Sequence, residues 1–138
     1  MHPTHDKGDV AEAAIILDLT KKGFVVFKPL TQNTYADLVV IKDDRIETVQ
    51  VKYVSPVDGK LIVPLRKQSS NAKGTTETYK YRETPLNWIA VYSPDPELCI
   101  YLPRSLWADN AVTCNLRTIR PKNNQVKGIM LATDYLTI

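Results

Sequence analysis

From Asp9 to about Thr20 the chain reads DVAEAAIILDLT, rich in Ala, Ile and Leu, with neither Pro nor Gly inside and Gly23 just beyond. That pattern predicts a helix. Ile15, Ile16 and Leu19 lie three, four and seven positions beyond Glu12, so the carboxylate is expected along the apolar stripe. After Gly23 the pattern shortens to that of strands. Phe24 to Lys28 predicts a first strand stopped by Pro29, and "TQNTY" a loop. Asp37 opens a second strand through Leu38, Val39, Val40 and Ile41, and Asp43-Asp44 turns the chain into a third, "TVQVKYV". Ser55-Pro56 and Asp58-Gly59 mark another turn, and "KLIVPL" predicts a fourth strand that Pro64 limits to an edge or an end. The expected core is thus a helix followed by a strand meander. Further on, "NWIAVYS" and "LCIYLP" predict a hairpin around "PDPE", with Ser105 capping a short helix, and the tail "RTIRPKNNQVKGIMLATDYL" fits either a strand or a closing helix.

The third strand breaks the apolar rule. Successive side chains of an extended chain point to opposite faces, so Thr48, Gln50 and Lys52 share one side and Val49 and Val51 the other. Antiparallel pairing with the second strand is expected to bring Asp37 close to Gln50 and Lys52. With Glu12 approaching from the helix, the four can converge on one point. Buried polar groups are costly unless paired, so three ionisable residues beside one glutamine call for a reason, and a metal site is one.

Composition narrows the alternatives. A chain of 138 residues with 43% hydrophobic residues builds one core, so a single domain over 1–138 is expected. No apolar run reaches the length of a membrane span, and "MHPTHDKGDV" lacks the apolar core of a signal peptide, which predicts a soluble, cytoplasmic protein with no membrane partner. His2 and His5 have no partner motif and are expected in a disordered terminal segment. Cys99 and Cys114 show no zinc-ligand spacing and are expected as reduced thiols, Cys99 buried in a strand. The net charge of +3 is uneven: residues 1–62 carry eight Lys/Arg against nine Asp/Glu, and residues 63–138 carry ten against six. The basic half begins with residues 66–82, "RKQSSNAKGTTETYKYR", five basic residues to one acid, expected as a mobile binding loop for a polyanion. Its contact residues would be Arg66, Lys67, Lys73, Tyr79, Lys80, Tyr81 and Arg82.

Phosphodiester hydrolysis needs oxygen ligands for a hard divalent cation, which acidifies water and neutralises phosphate charge. Asp37 offers one carboxylate, Gln50 an amide oxygen and Glu12 a second carboxylate, while Lys52 can orient water or stabilise the developing charge. At these residues the chain resembles the PD-(D/E)XK nuclease superfamily, whose signature is an acid, a spacer and (D/E)-X-K on the next strand. Here Asp37 precedes Gln50-Val51-Lys52, with Ala36 where the family name has Pro and Gln50 where the second acid usually stands. Glu47 faces the Val49 and Val51 side and is not expected to replace that acid. Two branches carry Q-X-K, Mrr-like restriction nucleases and a cyanobacterial type of group I intron homing endonuclease. The latter is the better match through Lys7-Gly8-Asp9, Ala11-Glu12, Tyr35-Ala36-Asp37 and Gln50-Val51-Lys52, over residues 7 to about 65.

The resemblance implies an α/β fold with a restriction-endonuclease-like core, a mixed β-sheet flanked by helices. It implies catalytic roles for Glu12, Asp37, Gln50 and Lys52, with Asp37, Gln50 and Glu12 as ligands of Mg²⁺ or another divalent metal. The substrate is then double-stranded DNA. A short chain with one site facing two antiparallel strands implies a homodimer or homotetramer. Two rivals remain: a Holliday junction resolvase selecting branched DNA, and a non-catalytic DNA-binding module using residues 66–82 as a basic arm.

Overall fold

The computed structural model describes residues 3–31, 34–70, 76–95, 97–109, 112–119 and 130–138, the side chains of 3–5, 67–70 and 76–79 excepted. Helix α1 (Pro3–Lys21) leads into β1 (Val25–Phe27), β2 (Leu38–Lys42) and β3 (Arg45–Tyr53). Next come β4 (Lys60–Pro64), β5 (Arg66–Ser70), β6 (Thr76–Lys80), β7 (Trp88–Ser93), β8 (Leu98–Pro103), the one-turn α2 (Arg104–Trp107) and β9 (Thr113–Arg117). The main sheet has the order β1-β2-β3-β7-β8 and is mixed, because β3 and β7 run parallel while every other pair in it is antiparallel.

The helix starts earlier than the apolar pattern indicated. Pro3 suits the first turn, where a backbone N–H has no intrahelical partner, and Asp6 adds a favourable charge there. His5 therefore belongs to the helix backbone and not to a disordered leader; His2 lies outside the described residues. The helix stops as expected: Gly23 adopts φ 90°, and the N–H of Phe24 reaches back to the carbonyl of Leu19 at 3.0 Å. Asp43 and Asp44, at φ 51° and 66°, make the left-handed turn that closes β2 onto β3.

Two cores lie on the two faces of the sheet. Ala11, Ile15 and Leu19 of α1 pack with Leu38, Val40, Val49, Val51, Ala90 and Tyr101. The opposite face carries Ile89, Val91, Ile100 and Leu102 under Leu61, Val63, Tyr81, Trp107 and Leu116. This second cover corrects the meander, since β4 does not join the main sheet: it pairs with the distant β9 from Lys60↔Arg117 to Pro64↔Thr113. Leu61 and Val63 are buried and Ile62 exposed, so alternation made β4 a strand without saying which sheet it enters. The edge of β3 that β4 would have taken is filled by β7.

Three further expectations change. Ser105 lies inside α2, which is entered from Pro103 with no side-chain cap. Cys114 is the fully buried thiol, whereas Cys99 is half-buried beside the Ala14 carbonyl, and burial together with the Asp18 charge pushes its pKa up to about 11. In the tail, β9 ends at Arg117 and a short turn of 3₁₀-helix spans Ala132–Asp134; residues 120–129 lie outside the described residues. No described helix is long and apolar enough to cross a membrane.

Arg104 carried no sequence signal, yet it ties the cover to the sheet. Its guanidinium donates to the carbonyls of Arg82 at 2.7 Å, Thr84 at 2.7 Å and Leu86 at 2.8 Å, and lies 5.3 Å from the Trp107 ring centre. A lysine cannot reproduce that planar fork. Arg104→Ala is expected to lower unfolding free energy by about 2–3 kcal/mol, and Arg104→Lys to recover only part, as read from urea midpoints at constant slope.

Candidate active site

The site begins where β2 ends its ladder with β3. Backbone pairing runs from Lys42↔Arg45 to Leu38↔Val49, and the Asp37 N–H still donates to the Val49 carbonyl at 2.9 Å. Upstream, the Ala36 N–H turns to the Thr34 hydroxyl at 3.4 Å, so the chain peels away from the strand. The Asp37 carboxylate supplies the acceptor the ladder no longer offers. Its Oδ2 receives the Val51 N–H at 2.9 Å and the Gln50 side-chain N–H at 2.7 Å. The expected approach of Asp37 to Gln50 is therefore a direct hydrogen bond.

Gln50 is buried at 5% exposure because β7 lies alongside it, with Gln50↔Ile89 and Lys52↔Val91 in register. Its Oε1 is buried with no hydrogen-bond partner among the described residues. An orphaned amide oxygen beside a carboxylate is a donor set that suits a hard cation. Among the described residues no three His, Cys, Asp or Glu side chains gather into a metal-binding group, so a cation here would need the amide oxygen as well as carboxylates.

Lys52 emerges on the same face as Gln50, its Nζ 5.0 Å from the centre of the Tyr81 ring. Glu12 sits half-buried on α1 and forms an ion pair with Lys28, a residue the sequence pattern passed over as the end of a strand. The Glu12 hydrogen bond and charge hold the Lys28 ammonium above the usual lysine range, with smaller contributions from Asp9 and Asp37. Lys28 thus lies in the field of Glu12 and Asp37 together. Glu47 belongs to the other face, as expected: it accepts from the Trp88 indole and pairs with Arg45 at 3.6 Å.

The basic segment is more ordered than a loop. Residues Arg66–Ser70 and Thr76–Lys80 form an antiparallel hairpin with Lys67↔Tyr79 and Arg66↔Lys80 in register. Arg66 is exposed and Lys80 and Arg82 are half-buried; Lys73 lies outside the described residues. Tyr81, expected among the contact residues, is buried instead. The chain leaves the strand after Lys80 for a 3₁₀ turn, Tyr81–Glu83, which ends the alternation and drops the ring into the core at 0% exposure.

A mixed sheet that brings an acid at one strand start beside Q-X-K on the next has the layout of the signature that the sequence resembles. The PD-(D/E)XK endonuclease family matches residues 2–138, and the chain belongs to that family. Nucleases of this family generally use divalent metals. Among solved structures, the bacterial homing endonuclease I-Ssp6803I is similar with a TM-score of 0.74 and 25% sequence identity, over 97% of this chain and 88% of its own. Comparison with curated proteins finds no match.

The contacts of Asp37 separate its charge from its structural part. Asp37→Ala leaves the Val51 N–H and the Gln50 amide without their acceptor and is expected to cost about 1–3 kcal/mol of stability. Asp37→Asn keeps an acceptor oxygen while removing the charge, and its melting temperature is expected to stay closer to that of the wild type.

Proposed function

We propose that this nuclease is a divalent-metal-dependent double-strand DNA endonuclease of the site-specific homing kind, acting as a homo-oligomer with one site per strand. The observation that carries the proposal is the Asp37–Gln50 pair, whose buried amide oxygen has no hydrogen-bond partner among the described residues, on the strand that presents Lys52. Asp37 and Gln50 would hold the metal, with Glu12 as the further carboxylate. A bound divalent cation supplies positive charge against the phosphate and acidifies water.

The chain's own groups account for the rest. The Val51 N–H fixes the Asp37 carboxylate, so its orientation is set before substrate arrives. Lys52 carries a positive charge toward the phosphate, where it stabilises the charge that develops as the bond breaks. The Arg66 and Lys80 ends of the hairpin provide cationic contacts to the DNA backbone, which position the duplex without reading its sequence. The similarity to a homing endonuclease over nearly the whole chain supports a duplex substrate.

Incubating a library of supercoiled plasmids with random inserts, from which a cut plasmid is isolated for the comparisons, and a synthetic four-way junction with Mg²⁺ tests the reading. Wild type is expected to nick or linearise plasmid, whereas Asp37→Asn and Gln50→Leu should lose cleavage by about a hundredfold or more while still binding DNA. Near-normal cutting by Asp37→Asn would overturn the site assignment, and cutting confined to the junction would overturn the duplex substrate. For the hairpin, replacing Arg66 and Lys80 by Ala is expected to weaken binding and flatten the slope of log affinity against log salt by about one per lost phosphate contact.

A further inference from the structure

We propose that Tyr81 is a positioning residue: its ring holds the Lys52 ammonium in place, and its backbone fixes that hold to the base of the β5–β6 hairpin. The inference rests on the reading of Lys52 as the cation that meets the phosphate. A lysine ammonium rides on four rotatable bonds, and a charge that must act at one phosphate gains from anything that confines it. The Tyr81 ring supplies such a seat. It is fully buried, its centre is 5.0 Å from Lys52 Nζ, and an aromatic face attracts a cation through its quadrupole.

The seat cannot shift independently. The Tyr81 N–H donates to the Leu65 carbonyl at 3.1 Å, joining the residue just after β6 to the residue just before β5 and closing the hairpin at its root. The Tyr81 carbonyl accepts from the Thr84 hydroxyl at 2.6 Å and the Thr84 N–H at 3.0 Å, and Arg104 grips the carbonyls of Arg82, Thr84 and Leu86 that follow. The same segment runs on into β7, which fixes the backbone of Lys52 through Lys52↔Val91. The ring end of the contact is thus anchored at the root of the hairpin that would meet the DNA backbone, and the lysine end on the β3–β7 pair.

Tyr81→Leu keeps apolar bulk but removes the aromatic face, and Tyr81→Phe keeps the face. At saturating plasmid and Mg²⁺, the single-turnover cleavage rate of Tyr81→Leu is expected to fall at least about tenfold, with DNA affinity changed less than about threefold, and Tyr81→Phe is expected to restore the rate. A wild-type rate in Tyr81→Leu, or equal loss in both variants alongside equal loss of melting temperature, would overturn the proposal. A measurement on the unmodified chain guards against a variant that does not fold. In lysine-labelled protein the Lys52 ε-methylene proton signals, assigned through Lys52→Arg, are expected to be displaced upfield by the ring, and signals at the ordinary lysine position would also overturn it. Lys52→Ala separates the two readings: normal cleavage by that variant refutes the role of Lys52 itself, whereas inactivity together with a fully active Tyr81→Leu refutes the role of Tyr81 alone.

Discussion

A carboxylate that finishes a β-ladder is the constraint around which the site is organised. Strand β3 continues past the point where β2 leaves it, and the Val51 N–H facing the gap would be an unsatisfied donor in a buried place. Asp37 fills that need with the same oxygen that binds the Gln50 amide. A structural requirement of the sheet thereby delivers an oriented anion next to an amide oxygen that has no hydrogen-bond partner among the described residues. The charge is tolerated because it is hydrogen-bonded from two sides, and its position is as exact as the strand pairing that creates it.

The neighbouring elements each solve a similar problem with a different tool. Lys52 leaves the sheet toward a buried aromatic face, and Glu12 leaves the helix toward the ammonium of Lys28. Asn87 bonds the Thr48 N–H at 2.8 Å and the Thr48 hydroxyl at 3.0 Å, tying the segment that enters β7 to β3 a few residues before Gln50 and Lys52. Asp18, on the last turns of α1, receives the Tyr101 hydroxyl at 2.5 Å and the Lys22 ammonium at 2.8 Å, and so secures the helix against β8. Polar groups at the borders of the two apolar cores determine how the layers are registered, while the cores supply most of the stabilisation.

Legibility in the sequence followed the range of the interactions. The helix, its glycine stop, the aspartate turn and the β7–β8 hairpin were readable because each depends on residues close together in the chain. Asp37 beside Gln50 was also readable, since a tight turn fixes register and register fixes faces. The pairing of β4 with β9 was not, because "KLIVPL" has the same alternation whichever partner it takes. Tyr81 was misplaced for a related reason: "YKYR" continues the period of a strand, and only the 3₁₀ turn after Lys80 inverts its environment. Lys28 and Arg104 were silent because their partners, a helical carboxylate in one case and three backbone carbonyls in the other, follow no local spacing.

The parallel contact between β3 and β7 has a consequence for how the molecule assembles. The β2–β3 hairpin can form from its own turn, but β7 reaches β3 only after the whole segment from Ser55 to Asn87 has been looped out. Closing such a loop is slow compared with making a hairpin, because its entropy must be lost before any pairing offsets it. On topology, the strand bearing Gln50 and Lys52 is expected to acquire its second neighbour after the hairpin has formed. Until it does, Gln50 and Lys52 belong to a two-stranded hairpin with an open edge, the arrangement most exposed to pairing with another chain.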